Sequence, residues 1–206
     1  MKDAVDRLTP LGLMILALLR EGDMHPYEMI RLMRQRRDDR LVTITNGTFY
    51  HTVGRLERAG LLAEVGVDRH GNRPERTTYA LTAQGRASVG EWVRRELPRI
   101  DRPGEFRIAL AEAHNLDRDE VIALLRTRRG ALAAAQIELA AGRATAGLRE
   151  VPEQYLLEVE RELAVLTADL GWLDALTARL ERHDFPWGAP ALPSEGYLQD
   201  REAARR

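Results

Sequence analysis

The sequence contains no cysteine, a single lysine and two serines, and only 5% of its residues are aromatic. Without cysteine, disulfides, thiolate nucleophiles, cysteine-ligated zinc and iron–sulfur clusters are excluded. The serines, Ser88 and Ser194, lie outside any Gly-x-Ser-x-Gly sequence, and no glycine-rich phosphate loop is present. The five histidines lack the spacing of a metal site. We therefore expect no enzymatic activity, no metal and no cofactor.

Long apolar runs are also missing. The longest, Leu11–Leu19, has nine residues, whereas a membrane-spanning helix needs roughly 20. Asp3 and Asp6 precede this run, which is unlike the basic start of a signal peptide. The absence of cysteine suits a reducing compartment. We expect a cytoplasmic protein that does not bind a membrane.

The charge is unevenly distributed along the 206 residues, although the net charge is only -1. Residues 1–100 contain 17 basic and 13 acidic side chains, and the remainder contains 14 basic and 19 acidic ones. The basic excess is concentrated between Arg31 and Arg86, with 11 arginines against 6 acids. This split is typical of a chain in which one half faces a polyanion.

Three helices are predicted near the start of the chain, each by capping residues and apolar periodicity. Thr9 followed by Pro10 begins the first, Pro26 lies in the first turn of the second, and Thr45 and Gly60 bound the third. The first is apolar nearly all round, as in a core helix. The expected ranges are about 10–20, 26–37 and 46–59.

The third helix has one apolar and one polar side. Phe49, Val53 and Leu56 recur at the spacing of a buried stripe. The opposite side carries polar, aromatic and basic groups, the combination that contacts phosphates and base edges in a DNA major groove. These residues are Asn46, Gly47, Thr48, Tyr50, His51, Arg55 and Arg58. An exposed amphipathic helix with no ligand is the alternative interpretation.

A two-stranded hairpin is predicted next, from residues 61–65 and 77–81. The loop between them contains Gly71, Asn72 and Pro74, and it carries Arg69, His70, Arg73 and Arg76. Three helices followed by such a hairpin predict a winged helix-turn-helix with a basic wing. Alternatively, the wing arginines belong to an ordinary solvated loop.

Five short motifs follow one another over about 80 residues, namely Leu8–Gly12, Met24–Glu28, Gly47–Tyr50, Arg55–Leu62 and Arg73–Arg86. In order and spacing they resemble the PadR family of bacterial transcriptional regulators. Pro26 stands where that family often has glycine, and His51 where it often has proline.

The helix pattern and this resemblance together imply a homodimeric repressor that binds double-stranded DNA at a pseudo-palindromic operator. Thr48 and Tyr50 are expected to contact phosphates, and His51 and Arg55 to reach base edges. The expected DNA-binding residues are Thr45, Asn46, Gly47, Thr48, Tyr50, His51, Arg55, Arg73 and Arg76. A protein-interaction module that binds no specific DNA is the alternative function.

The rest of the chain is also predicted to be helical, which makes the fold mainly α. Further helices are expected at about 82–97, 105–113, 117–141 and 152–182, and the proline-rich and glycine-rich segment from Phe185 is expected to be extended. The predicted domains are a winged-helix domain at residues 1–100, a helical dimerisation domain at 104–183 and a tail at 184–206.

The last of these helices carries a seam of apolar residues at alternating spacings of three and four, which is the pattern of a coiled coil. Such a seam is expected to pack against another helix. In long members of the PadR family, two subunits pair through a C-terminal helical domain. The seam residues expected to mediate dimerisation are Leu156, Val159, Leu163, Leu166, Leu170 and Leu173, and Leu180 extends them.

Trp92 and Trp172 allow two interpretations. Tryptophan usually anchors a core or a subunit interface. Trp92 could instead line a pocket for a small aromatic effector, because the PadR resemblance permits regulation by phenolic acids or planar drugs.

Overall fold

The computed structural model describes residues 5, 7–68, 76–188 and 195–205. The chain is mainly helical and contains a winged helix followed by long helices. In chain order the elements are α1 (Pro10–Leu18), α2 (Pro26–Gln35), α3 (Asn46–Arg58), β1 (Leu62–Asp68), β2 (Arg76–Leu81), α4 (Ala83–Glu96), α5 (Pro103–Ala111), α6 (Arg118–Leu148), α7 (Leu157–Leu180) and α8 (Glu195–Arg205).

Threonine side chains cap the starts of three helices. Thr9 accepts a hydrogen bond from the backbone N–H of Gly12 at 3.2 Å, and Thr82 accepts one from Gly85 at 3.0 Å. Thr45 caps α3 in the same way. Such caps satisfy amide groups that have no partner within the helix. The predicted helix starts at Thr9 and Thr45 are confirmed.

The wing is a two-stranded antiparallel sheet, as predicted. Its register pairs Leu62 with Leu81, and it shifts between Glu64 and Gly66. Met24, in the loop before α2, exchanges two backbone hydrogen bonds with Tyr79 of β2, at 3.1 and 3.0 Å. These bonds fix the wing against the start of α2.

The core of the winged-helix part (α1–α4, residues 10–96) surrounds α1, whose residues from Leu11 to Leu18 are all buried. Phe49 from α3, Met29 from α2 and Trp92 from α4 belong to the same cluster. Apolar burial is the main force that drives folding. Because Phe49 is buried in this cluster, the opposite side of α3 faces solvent. Within the described residues, no helix combines the length and apolarity that a bilayer-spanning segment needs.

The joint between α4 and α5 is held by charged groups. Glu96 is fully buried and lies 2.6 Å from Arg95, with Arg99 at 3.9 Å. The guanidinium of Arg128 on α6 donates to the carbonyl oxygen of Arg99 and stacks over the ring of Phe106 at 3.5 Å. Residues on both sides of the joint therefore interact. The division into domains at residues 100–104 remains a prediction.

Helices α6 and α7 pack side by side as an antiparallel hairpin. Polar pairs join them in opposite sequence order, which gives the antiparallel direction. The pairs are Arg126–Glu181 at 2.6 Å, Arg129–Asp174 at 2.5 Å and Gln136–Thr167 at 2.7 Å.

The predicted end of α6 at about residue 141 is wrong, because the helix continues to Leu148. Gly142 and Gly147 lie inside it, since glycine weakens a helix by only about 1 kcal/mol and does not break it. The helix stops where Glu150 adopts a left-handed conformation, at φ 54°. The amide of Val151 then bonds back to the carbonyl of Ala146 at 3.1 Å, as in a Schellman motif.

Two further boundaries differ from expectation. A single 3₁₀ turn follows Pro152, so α7 begins at Leu157. The predicted extended tail is wrong for residues 195–205, which form α8. The prolines and glycines that suggested an extended chain lie no later than Gly196, and the residues after it favour a helix.

Candidate nucleic-acid interface

The exposed side of α3 begins at its capping residues. The hydroxyl of Thr45 accepts the backbone N–H of Thr48 at 3.3 Å and donates to the hydroxyl of Thr48 at 2.9 Å. The hydroxyl of Thr52 donates to the carbonyl of Thr48 at 2.7 Å. These bonds fix the first turn of the helix, so its side chains project from a defined backbone.

The predicted division of α3 into two sides is present. Phe49, Val53 and Leu56 are buried, and Tyr50 is 47% exposed. The exposed residues of the first two turns are Asn46, Gly47, Thr48, Tyr50 and His51. The structure therefore brings five predicted residues onto one solvent-facing surface, which we call the α3 face.

Arg55 occupies a different environment from its neighbours on α3. It is half-buried, and its guanidinium donates to the hydroxyl of Thr9 at 2.9 Å. Thr9 also caps α1, so this bond ties the middle of α3 to the start of α1. Sequence reasoning assigned Arg55 to a base edge, and the structure adds a structural role for the side chain.

A groove of about 460 Å³ lies between the start of α1, the segment before α3, and α3 itself. Thr48, His51 and Arg55 form its α3 wall, and Leu41 and Val42 lie opposite. Thr48 and His51 belong both to the groove and to the α3 face, so the two are continuous. We treat the groove as part of the same interface.

The first wing strand lies beside α3. Arg73 lies outside the described residues, and only the backbone of Arg76, at the start of β2, is described. Arg69 and His70 also lie outside them. The prediction that wing arginines contact DNA stays a prediction.

Helix α2 adds basic groups that were not in the predicted site. Tyr27, Arg31 and Arg34 share one side of the helix, because they lie at i, i+4 and i+7. The guanidinium of Arg31 lies 5.7 Å from the centre of the Tyr27 ring. This spacing is visible in the sequence, and it could have indicated a second set of phosphate contacts.

Arg36, which directly follows the last residue of α2, is paired with an acidic residue of the same chain. Its guanidinium forms two parallel hydrogen bonds with the carboxylate of Glu21, at 2.7 and 2.8 Å. These bonds raise the pKa of Arg36 above its usual value. Because Glu21 neutralises it, Arg36 adds little to the positive potential of the surface.

The two tryptophans differ in exposure. Trp92 is 1% exposed within the core, which is the environment of an anchor, so a ligand could not stack on its ring without displacing core side chains. Trp172 on α7 is 44% exposed and meets Phe106 edge to face, with 6.4 Å between ring centres. Among the residues that the structure describes, no three His, Asp or Glu side chains converge into a metal site.

Part of the predicted dimerisation seam is buried within the single chain. Leu166 and Leu173 are buried, as is Leu180, and α7 packs on α6 of the same chain. These leucines cannot also contact a second subunit unless the hairpin opens. Four seam residues remain half-exposed, namely Leu156, Val159, Leu163 and Leu170.

Residues 15–91 match the model of the transcriptional regulator PadR-like family. The match runs from α1 through α4, and so confirms the resemblance in the winged-helix part; the α6–α7 hairpin lies outside it. No curated protein matches the chain significantly.

Several solved structures are similar to the chain. Bacillus subtilis PadR in complex with operator DNA is 19% identical, with a TM-score of 0.40, over 83% of this chain and 99% of that chain. The smu.1604c protein from Streptococcus mutans is 20% identical, with a TM-score of 0.38, over 81% and 98%. Bacillus subtilis PadR in complex with p-coumaric acid is 18% identical, with a TM-score of 0.38, over 84% and 100%.

Proposed function

We propose that this protein is a sequence-specific DNA-binding regulator, because its residues 15–91 match the model of the transcriptional regulator PadR-like family. In this proposal it is a homodimeric repressor, and the α3 face enters the major groove of each operator half-site. One observation carries the proposal. The polar and aromatic residues in the first two turns of α3 are exposed together, while the opposite side of the helix is buried.

The proposed contacts divide by chemistry. Hydroxyl groups of Thr48 and Tyr50 suit phosphate oxygens, and the imidazole of His51 suits a base edge. Arg31 and Arg34 on α2 would contact the DNA backbone, since the first helix of a helix-turn-helix pair crosses it. Arg73 and Arg76 would contact the flanking DNA from the wing.

The dimer would form through the α6–α7 hairpin. Apolar side chains are exposed at and near its connecting end, where Leu148 is 88% exposed. Tyr155 and Leu157 are exposed next to it, and the half-exposed seam residue Leu156 lies between them. Together they offer a surface that a second copy could cover.

Release by a small aromatic effector is the regulatory part of the proposal. Because Trp92 is buried, such an effector would have to act without stacking on this ring in the conformation described. Operator affinity measured with and without phenolic acids tests this part. An affinity that no bound compound changes would contradict it.

We expect the purified protein to bind DNA from just upstream of its own gene with a dissociation constant of about 10⁻⁸ M. Fluorescence anisotropy in the presence of random competitor DNA measures this affinity. Raising the salt concentration should weaken binding steeply, because phosphate contacts release counterions. Light scattering of the same sample should give twice the chain mass of 23.3 kDa.

Binding no tighter than that of random DNA, at every candidate operator, would contradict the proposal. A monomer without specific DNA binding would favour the protein-interaction module instead.

Arg55→Ala should weaken operator binding by about 1–3 kcal/mol, with a smaller loss on random DNA, if the guanidinium reaches a guanine. Thr9→Val removes the hydrogen-bond partner of Arg55 and leaves the arginine side chain in place, but it also removes the cap of α1, so thermal unfolding is measured beside it. Equal losses on operator and random DNA would assign Arg55 to phosphate. The same affinity loss in Thr9→Val, with the unfolding temperature unchanged, would show that Arg55 acts by positioning α3.

A further inference from the structure

The C-terminal helix α8 lies against α2, the first helix of the helix-turn-helix pair. Gln35 on α2 donates to the carboxylate of Asp200 at 2.5 Å, and Ala204 is buried in the contact. Helix α8 lies outside the residues that match the PadR-like family. The proposed DNA contacts do not use it.

The centre of this contact is the guanidinium of Arg201. Its Nε donates to the carboxylate of Glu28 at 2.6 Å, and its Nη2 donates to the carbonyl of Asp23 at 3.1 Å. Its Nη1 donates to the hydroxyl of Tyr197 at 3.1 Å and lies 3.5 Å from the carbonyl of Glu21. All three nitrogen atoms therefore have partners.

Because Arg201 and Glu28 are buried, the loss of either partner would cost much folding free energy. The side chains of Arg201 and Glu28 are only 9% and 8% exposed. Removing one member of a buried ion pair leaves a charge without compensation, which costs far more than losing a surface pair. A lysine could not replace the arginine fully, because a single ammonium cannot match acceptors arranged around a planar guanidinium.

The backbone at residues 21–23 places carbonyl groups beside the guanidinium of Arg201. Glu21 ends a 3₁₀ turn, where carbonyl groups lack partners within the helix. Gly22 follows with a φ of 133°, which only glycine adopts readily. A Cβ atom at Gly22 would also lie 3.4 Å from Nη1 of Arg201. The carbonyl groups of Glu21 and Asp23 thus face the same guanidinium that Glu28 binds from α2.

We propose that Glu28 and the carbonyl groups of Glu21 and Asp23 form a guanidinium-binding site, occupied by Arg201 of the chain's own C-terminal helix. In this arrangement α8 is a latch on α2. Arg201 supplies three of the polar contacts from α8 to the winged-helix part, and the bond between Gln35 and Asp200 lies beside them. Leu198 on the same helix is 54% exposed. Of the described residues of α8, only Ala204 belongs to the buried apolar core, so the latch can open without the rest of the core unfolding.

Hydrogen exchange of the full-length protein tests the latch without DNA, so its outcome is independent of the proposed function. In Arg201→Gln, amides of residues 195–205 should exchange at least tenfold faster, while those of α1 and α6 keep their protection. Arg201→Lys should show a smaller increase in the same segment. Glu28→Gln should reproduce the effect, and the double variant should add little to it. Leu198→Ala is the control, because its side chain is exposed on the same helix.

Crosslinking gives a second test that does not disturb Arg201. Because the chain has no cysteine, Gln35→Cys with Asp200→Cys introduces the only thiols. A short bis-maleimide should join them within one chain. Gln35→Cys with Arg149→Cys should not react in this way, because Arg149 follows the far end of α6, about 46 Å from its start.

Three results would overturn the latch. The first is α8 amides that exchange as fast as an unstructured peptide in the unsubstituted protein. The second is unchanged protection in Arg201→Gln. The third is a crosslink that forms only between two chains, which would show that the occupant comes from a second copy.

Discussion

Replacing Thr48 with glutamate is expected to lower operator affinity by about 100-fold while the protein stays folded. Thr48 is the third helical residue after the cap Thr45, and it lies on the exposed α3 face. A negative charge there would face DNA phosphates. The same glutamate completes a capping box with Thr45, in which its carboxylate accepts the backbone N–H of the capping residue. Helix stability and DNA affinity should therefore change in opposite directions.

Thr48→Gln is the matched control, because glutamine has the same shape as glutamate and also completes a capping box. Anisotropy titrations of both variants against the operator, together with thermal unfolding, give the comparison. We expect Thr48→Gln to lose far less affinity than Thr48→Glu. If both lose the same amount, the size of the side chain is responsible and its charge is not. If neither loses affinity, the α3 face does not meet DNA.

Gly85→Ala is expected to destabilise the winged-helix part by about 3 kcal/mol or more. Gly85 lies in the first turn of α4, directly over the start of the wing. A Cβ atom added there would lie 1.9 Å from the carbonyl oxygen of Leu61 and 2.7 Å from Cδ1 of Leu81. Because the nearest atom belongs to the backbone, relief requires α4 to move away from β1. That movement would also disturb the capping bond of Thr82.

Gly142→Ala is the same chemical change at a helix position where the new atom meets nothing within 4 Å. It should stabilise the protein by up to about 1 kcal/mol, because alanine favours a helix more than glycine does. Urea unfolding of both variants gives the two free energies. A Gly85→Ala variant as stable as the unsubstituted protein would show that α4 does not press against the wing as the structure describes.

The winged-helix part was predictable because its signals are local. A capping threonine acts within three residues of its position, as Thr9 and Thr45 do. A buried stripe such as Phe49, Val53 and Leu56 follows from the period of one helix. The exposed α3 face is the complement of that stripe, so most of the candidate site could also be derived from the sequence.

Contacts between distant parts of the chain could not be derived in this way. The bond between Arg55 and Thr9 joins residues 46 positions apart, and the pair of Arg201 and Glu28 spans 173 positions. An arginine in a helical pattern looks the same whether it faces solvent or a buried carboxylate. For the same reason the seam on α7 indicated that another helix would cover it, but could not indicate that α6 of the same chain does so.

Because α6 is long, a small tilt of this helix would move its far end by several ångströms in the proposed dimer. A helix of 31 residues extends about 46 Å at 1.5 Å per residue. The helix is held where Arg128 meets Arg99 and Phe106, and about 30 Å of helix lies between Arg128 and Leu148. A tilt of about 7° at that contact would move the far end by about 3.7 Å, which exceeds the base-pair spacing of about 3.4 Å along DNA. In a dimer joined at the far ends, a small change at that contact would shift one recognition helix by about one base pair relative to the other.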